Sequence, residues 1–177
     1  MRKLLIGIVA VFFLALISAE AKHDQKIISK KIGVKLVAPS SWTYDENDCN
    51  PLLSLYSPET KEHPGGTLDL EKGLKMELSL GLDETHFLET MKSTKAEKFS
   101  ILINIKDKEN ITIYLEKGTF GSGRETLCLH ALLKNAEKNV WIIGYIPEKE
   151  KLNEYAEKYV LVLSSIEFIK QTKSDSK

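Results

Sequence analysis

Apolar and polar residues alternate in several stretches of the chain. Leu74, Met76, Leu78 and Leu80 are separated by Lys75, Glu77 and Ser79, which predicts a strand buried on one face. Phe99, Ile101, Ile103 and Ile105 alternate in the same way. After a polar turn at 106–110, Ile111, Ile113 and Leu115 alternate back, which predicts a hairpin. A second hairpin is predicted over 126–133 and 140–146, with a polar turn at 134–139 between its strands and a glycine-rich loop at 118–123 leading into it. Shorter strands are predicted on either side of Gly33, ending before Pro39, which has no N–H for a ladder. Another covers 52–56. Segments 44–51 and 59–66 are polar and turn-forming and read as loops.

Two stretches change period. Asp83 is a suitable cap for a short helix carrying Phe87, Leu88 and Met91 on one side. Pro147 suits the first turn of a longer helix, and Glu148 and Glu150 favour its positive end. Leu152, Tyr155, Ala156, Tyr159, Val160 and Leu163 then keep the spacing of one buried helical face, closed by Ser164 and Ser165. A short strand returns at 166–169, and the polar tail at 171–177 is expected to be disordered. Hairpin connections predict an antiparallel sheet. The strand at 126–133 lacks a clean polar face and so needs cover on both sides. The expected fold is therefore α+β: an antiparallel β-sheet with helices packed on both faces, an α/β/α sandwich with a long C-terminal helix. One domain over 22–170 accounts for it.

The N-terminus narrows the compartment. Arg2 and Lys3 precede an apolar run from Leu4 to Ile17, and Ala19 and Ala21 stand where signal peptidase reads small residues. Residues 1–21 are expected to be a signal peptide cleaved before Lys22, because the apolar run is short of the ~20 residues that span a bilayer. The chain is then exported, periplasmic or secreted. Of 25 basic and 25 acidic residues, removing Arg2, Lys3 and Glu20 leaves 23 and 24. That balance gives no reason to expect nucleic acid or an anionic membrane as partner. Arg124 is the only arginine left, so phosphate clamps cannot be numerous.

Candidate chemistry is sparse. Cys49 and Cys128 are the only cysteines, and an exported chain permits a bond between them, worth about 4 kcal/mol in the chain-entropy model. The alternative is two unrelated thiols, one exposed and one in the core. Cys128 and His130 lie two apart on a strand and face the same way. They would make a metal pair only with further ligands, from His63 or His86; the plainer reading is a buried cysteine beside a hydrogen-bonded histidine. There is no Gly-x-Ser-x-Gly elbow, and the glycines at 118, 121 and 123 lack the Lys-Ser/Thr of a phosphate loop and lead into a strand. No catalytic, cofactor or metal residue is assigned. Asn110-Ile111-Thr112 is a glycosylation sequon at a predicted turn.

Two segments carry a family resemblance. Gly33-Val-Lys-Leu-Val-Ala-Pro39-Ser-Ser-Trp42 resembles the opening of the PsbP and Mog-type fold, a glycine, a strand, then Pro-x-x-Trp. Tyr159-Val-Leu-Val-Leu-Ser164-Ser165-Ile-Glu-Phe168 is similar to that family's terminal helix running into Ser-aliphatic-x-Phe. Together they bracket nearly the whole mature chain. Ala38 departs from the pattern, since the family usually carries an aromatic before the proline. The resemblance implies an antiparallel sheet between helices and a non-catalytic role. Members include a lumenal extrinsic subunit of photosystem II, a Ran-binding protein and exported bacterial proteins, which share binding to other molecules and no catalytic residues.

The expected protein is thus an exported monomer that binds a protein or small ligand without chemistry, without a cofactor, and without a membrane anchor after cleavage. The loops at 44–51, 59–66 and 118–123 hold the less routine residues, among them Asp45 and Asp48. Phe120, Arg124 and His63 are the candidate partner-binding residues, because exposed aromatic and arginine side chains dominate interface energetics. Two alternatives stand beside this: an exported hydrolase-like enzyme using His63, His86, His130 and Asp69, and a metal carrier using Cys128 and His130.

Overall fold

A computed structural model of the chain describes residues 24–62, 70–81, 83–99, 111–120 and 123–169. The expected signal peptide, the strand expected at 101–105, Asn110, His63, Asp69 and the tail at 171–177 lie outside the described residues.

In chain order the strands are β1 (Asp24–Ser29), β2 (Val34–Pro39), β3 (Thr43–Glu46), β4 (Leu53–Tyr56), β5 (Lys61–Glu62), β6 (Leu70–Lys72), β7 (Lys75–Leu80), β8 (Glu97–Lys98), β9 (Ile113–Phe120), β10 (Arg124–Lys134), β11 (Asn139–Ile146) and β12 (Glu167–Phe168). Helix α1 (Glu84–Ser93) follows β7, and the long C-terminal helix α2 (Leu152–Ser165) lies between β11 and β12. The main sheet has seven strands in the order β3-β4-β7-β11-β10-β9-β8. A three-stranded sheet, β1-β2-β12, and a small β5-β6 pair complete the described structure. Every described pairing is antiparallel. The architecture is α+β, mostly antiparallel sheet with two helices among the described residues.

The registers explain the core. Cross-strand partners point to the same side of a sheet. Leu55 pairs with Met76, Met76 with Gly144, and Gly144 with Leu129; one row away, Leu53, Leu78, Ile142 and Ala131 are partners in turn. These positions form one hydrocarbon face, buried in a single cluster with Ile27, Val34 and Leu36 of the small sheet and Tyr155, Tyr159, Val160 and Leu163 of α2. Two polar ties hold the pieces together. Ser165 Oγ donates to the Val37 carbonyl (3.0 Å) and accepts from the Val37 N–H (2.8 Å), pinning the end of α2 to β2. Lys138 Nζ, at the β10–β11 turn, donates to the Ile32 carbonyl (2.6 Å) beside Gly33, whose φ of 71° makes the β1–β2 turn.

Four expectations change in detail. Residues 43–46 are a strand rather than loop, and because all four are exposed, no apolar alternation marks them. Leu88 is not on the buried side of α1: it is 44 % exposed, while Phe87 and Met91 are buried. The glycine-rich stretch is partly strand, since β9 runs through Phe120 and β10 begins at Arg124. Finally, α2 starts at Leu152 after a 3-10 turn at Lys149–Lys151, and Glu148 sits in extended backbone ahead of it. No helix among the described residues is long and apolar enough to cross a membrane.

Candidate functional site

The opposite face of the main sheet has a different character. Ser54 and Tyr56 on β4, Lys75, Glu77 and Ser79 on β7, Trp141, Ile143 and Tyr145 on β11, Cys128 and His130 on β10, and Tyr114 and Glu116 on β9 are linked partner to partner across five strands. Polar side chains on a sheet face are normally solvated, yet here Lys75 is 2 % exposed, Glu77 7 %, His130 5 % and Ser54 2 %. Leu70 of β6 packs on Cys128 and Tyr145, and Phe87 of α1 meets the rings of Trp141 and Tyr114 edge-on, with centroids 5.7 and 5.8 Å apart.

Two side-chain pairs make up its centre. Lys75 Nζ lies 3.1 Å from Glu77 Oε1 and 5.4 Å from the centroid of the Tyr56 ring. Tyr145 donates its hydroxyl to the other carboxylate oxygen, Glu77 Oε2, at 3.0 Å. Both oxygens of Glu77 are therefore engaged, which is what burial of a charge requires. Burial, with the carboxylates of Glu77 and Glu116 nearby, pushes the Tyr145 hydroxyl up from its ordinary range.

The second pair is His130 and Glu116, with Nε2 2.9 Å from Oε2. The distance suits a hydrogen bond, but the N–H direction does not meet it, and neither ring nitrogen has a hydrogen-bond partner among the described residues. The indole N–H of Trp141, whose ring lies 5.7 Å from that of His130, and the Thr126 hydroxyl are likewise buried without one. Between the two pairs lies Cys128. Its thiol is pushed up to about 12 by burial and then by the fields of Glu116 and Glu77. It is a protonated, inert thiol at neutral pH.

The residues expected from the sequence fall in scattered places. Cys128 and His130 do share a face, as their spacing requires, and Cys128 is buried. Cys49 is exposed in the β3–β4 loop, and both cysteines are free. One exposed thiol and one core thiol is the arrangement in the structure. Among the described residues no three of His, Cys, Asp and Glu are grouped to hold a metal ion. His86 lies on α1, exposed, away from that buried face. Phe120 and Arg124 are register partners at the end of the β9–β10 hairpin, closed by Gly123 with φ 80°. Sequence reasoning missed Lys75, Glu77, Tyr145 and Glu116. In a single strand they look like ordinary solvent-side residues, and only the pairing of β7, β11, β10 and β9 gathers them.

No protein-family model matches the chain, and a search of curated proteins finds no match. Similar solved structures include the 1.50 Å crystal structure of a protein from Bacteroides thetaiotaomicron VPI-5482, at 13 % identity and a TM-score of 0.51. The match covers 83 % of this chain and 49 % of that one, so this chain spans about half the length of the Bacteroides protein. Others are cyanobacterial PsbP (CyanoP) from Synechocystis sp. PCC 6803, with 11 % identity, a TM-score of 0.43 and 82 % and 92 % coverage, and a point mutant of the protein Mog1, with 10 % identity, a TM-score of 0.45 and 83 % and 96 % coverage. The likeness to the Bacteroides structure shows a common fold.

Proposed function

We propose that this chain is an exported, non-catalytic binding or accessory domain that engages a protein or small ligand, built as an α/β/α sandwich with its helices on opposite faces of the main sheet. The layering is supported by Phe87 of α1 touching Trp141, while Tyr159 of α2 approaches Gly144, three residues on and so on the other face. One observation carries the non-catalytic reading. The groups on the buried polar face that could do chemistry are turned toward one another: Glu77 is held by Lys75 and Tyr145, and Cys128 is held far from the thiolate a nucleophile needs. Export rests on the pattern at 1–21. The partner-facing segments are the β3–β4 loop, the segment bearing His63, and the hairpin end where Phe120 and Arg124 are register partners.

The test combines capture and turnover. Cross-linking capture from the native exported fraction, with wild type against a Phe120→Ala, Arg124→Ala double variant, should return a partner that the variant loses. The His130–Glu116 pair favours the hydrolase alternative most. If the purified chain turns over ester, peptide or phosphate substrates and His130→Ala abolishes this, the binding reading is wrong.

A further inference from the structure

Resting on that binding reading, we propose that the outer edge of β3 is the docking edge, and that its occupant is an extended, lysine- or arginine-bearing segment of a partner protein added as an eighth strand. Among the described residues β3 pairs only with β4, and it ends the seven-stranded sheet. Its outward N–H and C=O groups are a template for strand addition. Thr43, Tyr44, Asp45 and Glu46 are all exposed, Tyr44 by 46 % of its surface.

Charge selects the occupant. Asp45 is the register partner of Ser54 on the polar face, and Glu46 that of Leu53 on the apolar face. A strand added alongside would therefore find a carboxylate above and another below, and two adjacent basic side chains, which point to opposite faces, would meet both. Asp48 continues the acidic run but is paired with Lys31 at 2.6 Å; Lys31 also feels the charge of Glu46, yet neither Asp45 nor Glu46 makes an ion pair among the described residues. The other ends of the two larger sheets differ: β8 is Glu97–Lys98 and β1 carries Asp24 with Lys26, both of mixed sign, while Glu167 of β12 is paired with Lys35 at 2.7 Å.

The edge is also held in shape. Asn47 N–H donates to the Leu52 carbonyl (3.0 Å) and its side-chain amide to the Pro51 carbonyl (2.9 Å). Asn50 spans to β7, donating to the Leu80 carbonyl (3.1 Å) and accepting from the Leu80 N–H (3.4 Å). A preformed edge loses little conformational freedom when a strand joins it. The competing account is that acidic residues here only guard the sheet against unwanted pairing.

Fluorescence anisotropy of a labelled Thr-Val-Lys-Lys-Val-Thr peptide with the 22–177 chain decides between them. Binding is expected at about 20 mM salt and weakens toward about 300 mM. Asp45→Lys/Glu46→Lys should weaken it at least about tenfold, and so should the isosteric Asp45→Asn/Glu46→Gln pair, with unchanged thermal melting. Backbone N-methylation at alternate peptide residues keeps the charge but removes ladder donors, and should weaken binding by about the same factor. Absence of binding, or binding indifferent to the variants or to N-methylation, overturns the docking edge. So does concentration-dependent self-association lost in the same variants, which would make a second copy the occupant. Partner capture that survives the β3 variants leaves the binding reading standing without this edge, whereas loss of capture in every arm removes both.

Discussion

Tyr159 closes onto Gly144: its Cδ2 lies 2.6 Å from where a Cβ on Gly144 would stand, and its hydroxyl donates to the Ile142 carbonyl at 3.0 Å. A glycine in the middle of a central strand weakens it unless something must approach the backbone closely. Here α2 makes that approach. Gly144→Ala should therefore destabilise by about 1–3 kcal/mol through overpacking, despite adding only a methyl group. Tyr159→Phe should cost about 0.5–1.5 kcal/mol through the lost hydrogen bond. Urea unfolding of both variants checks this, and a neutral Gly144→Ala would place α2 elsewhere.

The buried stripe of α2 predicts unequal costs along the helix. Leu163 is fully buried, and Leu163→Ala should destabilise by about 2–5 kcal/mol. Leu152, at the first turn, is only partly buried against the same cluster, so Leu152→Ala should fall below that range. Equal effects would mean that the N-terminal turn packs more deeply than the structure has it.

Much of the frame was legible because it rests on local chemistry. Leu74, Met76, Leu78 and Leu80 announce a strand, and Tyr155, Tyr159 and Leu163 announce a helix face, because each pattern is complete within one element. The residues of the family resemblance also have structural duties: Gly33 makes a left-handed turn, Trp42 is core, and Ser165 ties α2 to β2. β3 was not legible, since an exposed edge strand has no apolar alternation to display. Nor was the buried polar face. Lys75 and Glu77 occupy the positions that a one-sided strand gives to solvent, and the partner that takes up Glu77, Tyr145, stands on β11, far off in sequence.

That burial can be tested by breaking it. Lys75→Met removes the ammonium beside the buried Glu77 carboxylate, and should cost about 3–5 kcal/mol, as should Glu77→Leu, which removes the carboxylate facing the Lys75 ammonium. The triple variant Lys75→Met, Glu77→Leu, Tyr145→Phe removes these three groups together, and should lie closer to wild type than either single variant. Additive losses across the three would show that the groups are solvated rather than buried as a unit.

Glu148 makes stability depend on acidity. Its Oε2 accepts from the Gly73 N–H (3.2 Å) and the Tyr155 hydroxyl (3.0 Å), and Lys151 approaches Oε1 at 3.1 Å. Burial works to raise this carboxyl's pKa, but the Gly73, Lys151 and Tyr155 hydrogen bonds outweigh it and hold the value below the ordinary one. A carboxyl lowered in the folded state stabilises above its unfolded pKa, about 4.3, and that contribution is lost as pH falls through the folded-state value. Glu148→Gln should accordingly melt below wild type at neutral pH, with the gap narrowing toward about pH 3. A gap constant across that range would mean that Glu148 acts by shape alone.

The two cysteines should differ sharply in reactivity. Cys49 is exposed and free in the β3–β4 loop, while Cys128 is buried with its thiol pushed up to about 12. Thiolate is the reactive form, so Cys128 is both hidden and chemically silent at neutral pH. A thiol-specific chromogenic reagent should therefore titrate one group per native chain, which Cys49→Ser removes. In denaturant it should titrate two, as burial is lost and Cys128 regains an ordinary thiol. Two fast groups in the native chain would show that the polar face is open to solvent. None in either state, restored by reductant, would show that Cys49 and Cys128 bond in the exported protein. Since Cys128 sits beneath Leu70 and beside Tyr145, that bond would require β6 to leave its place on the sheet, so its formation would also redraw the cover of the candidate site.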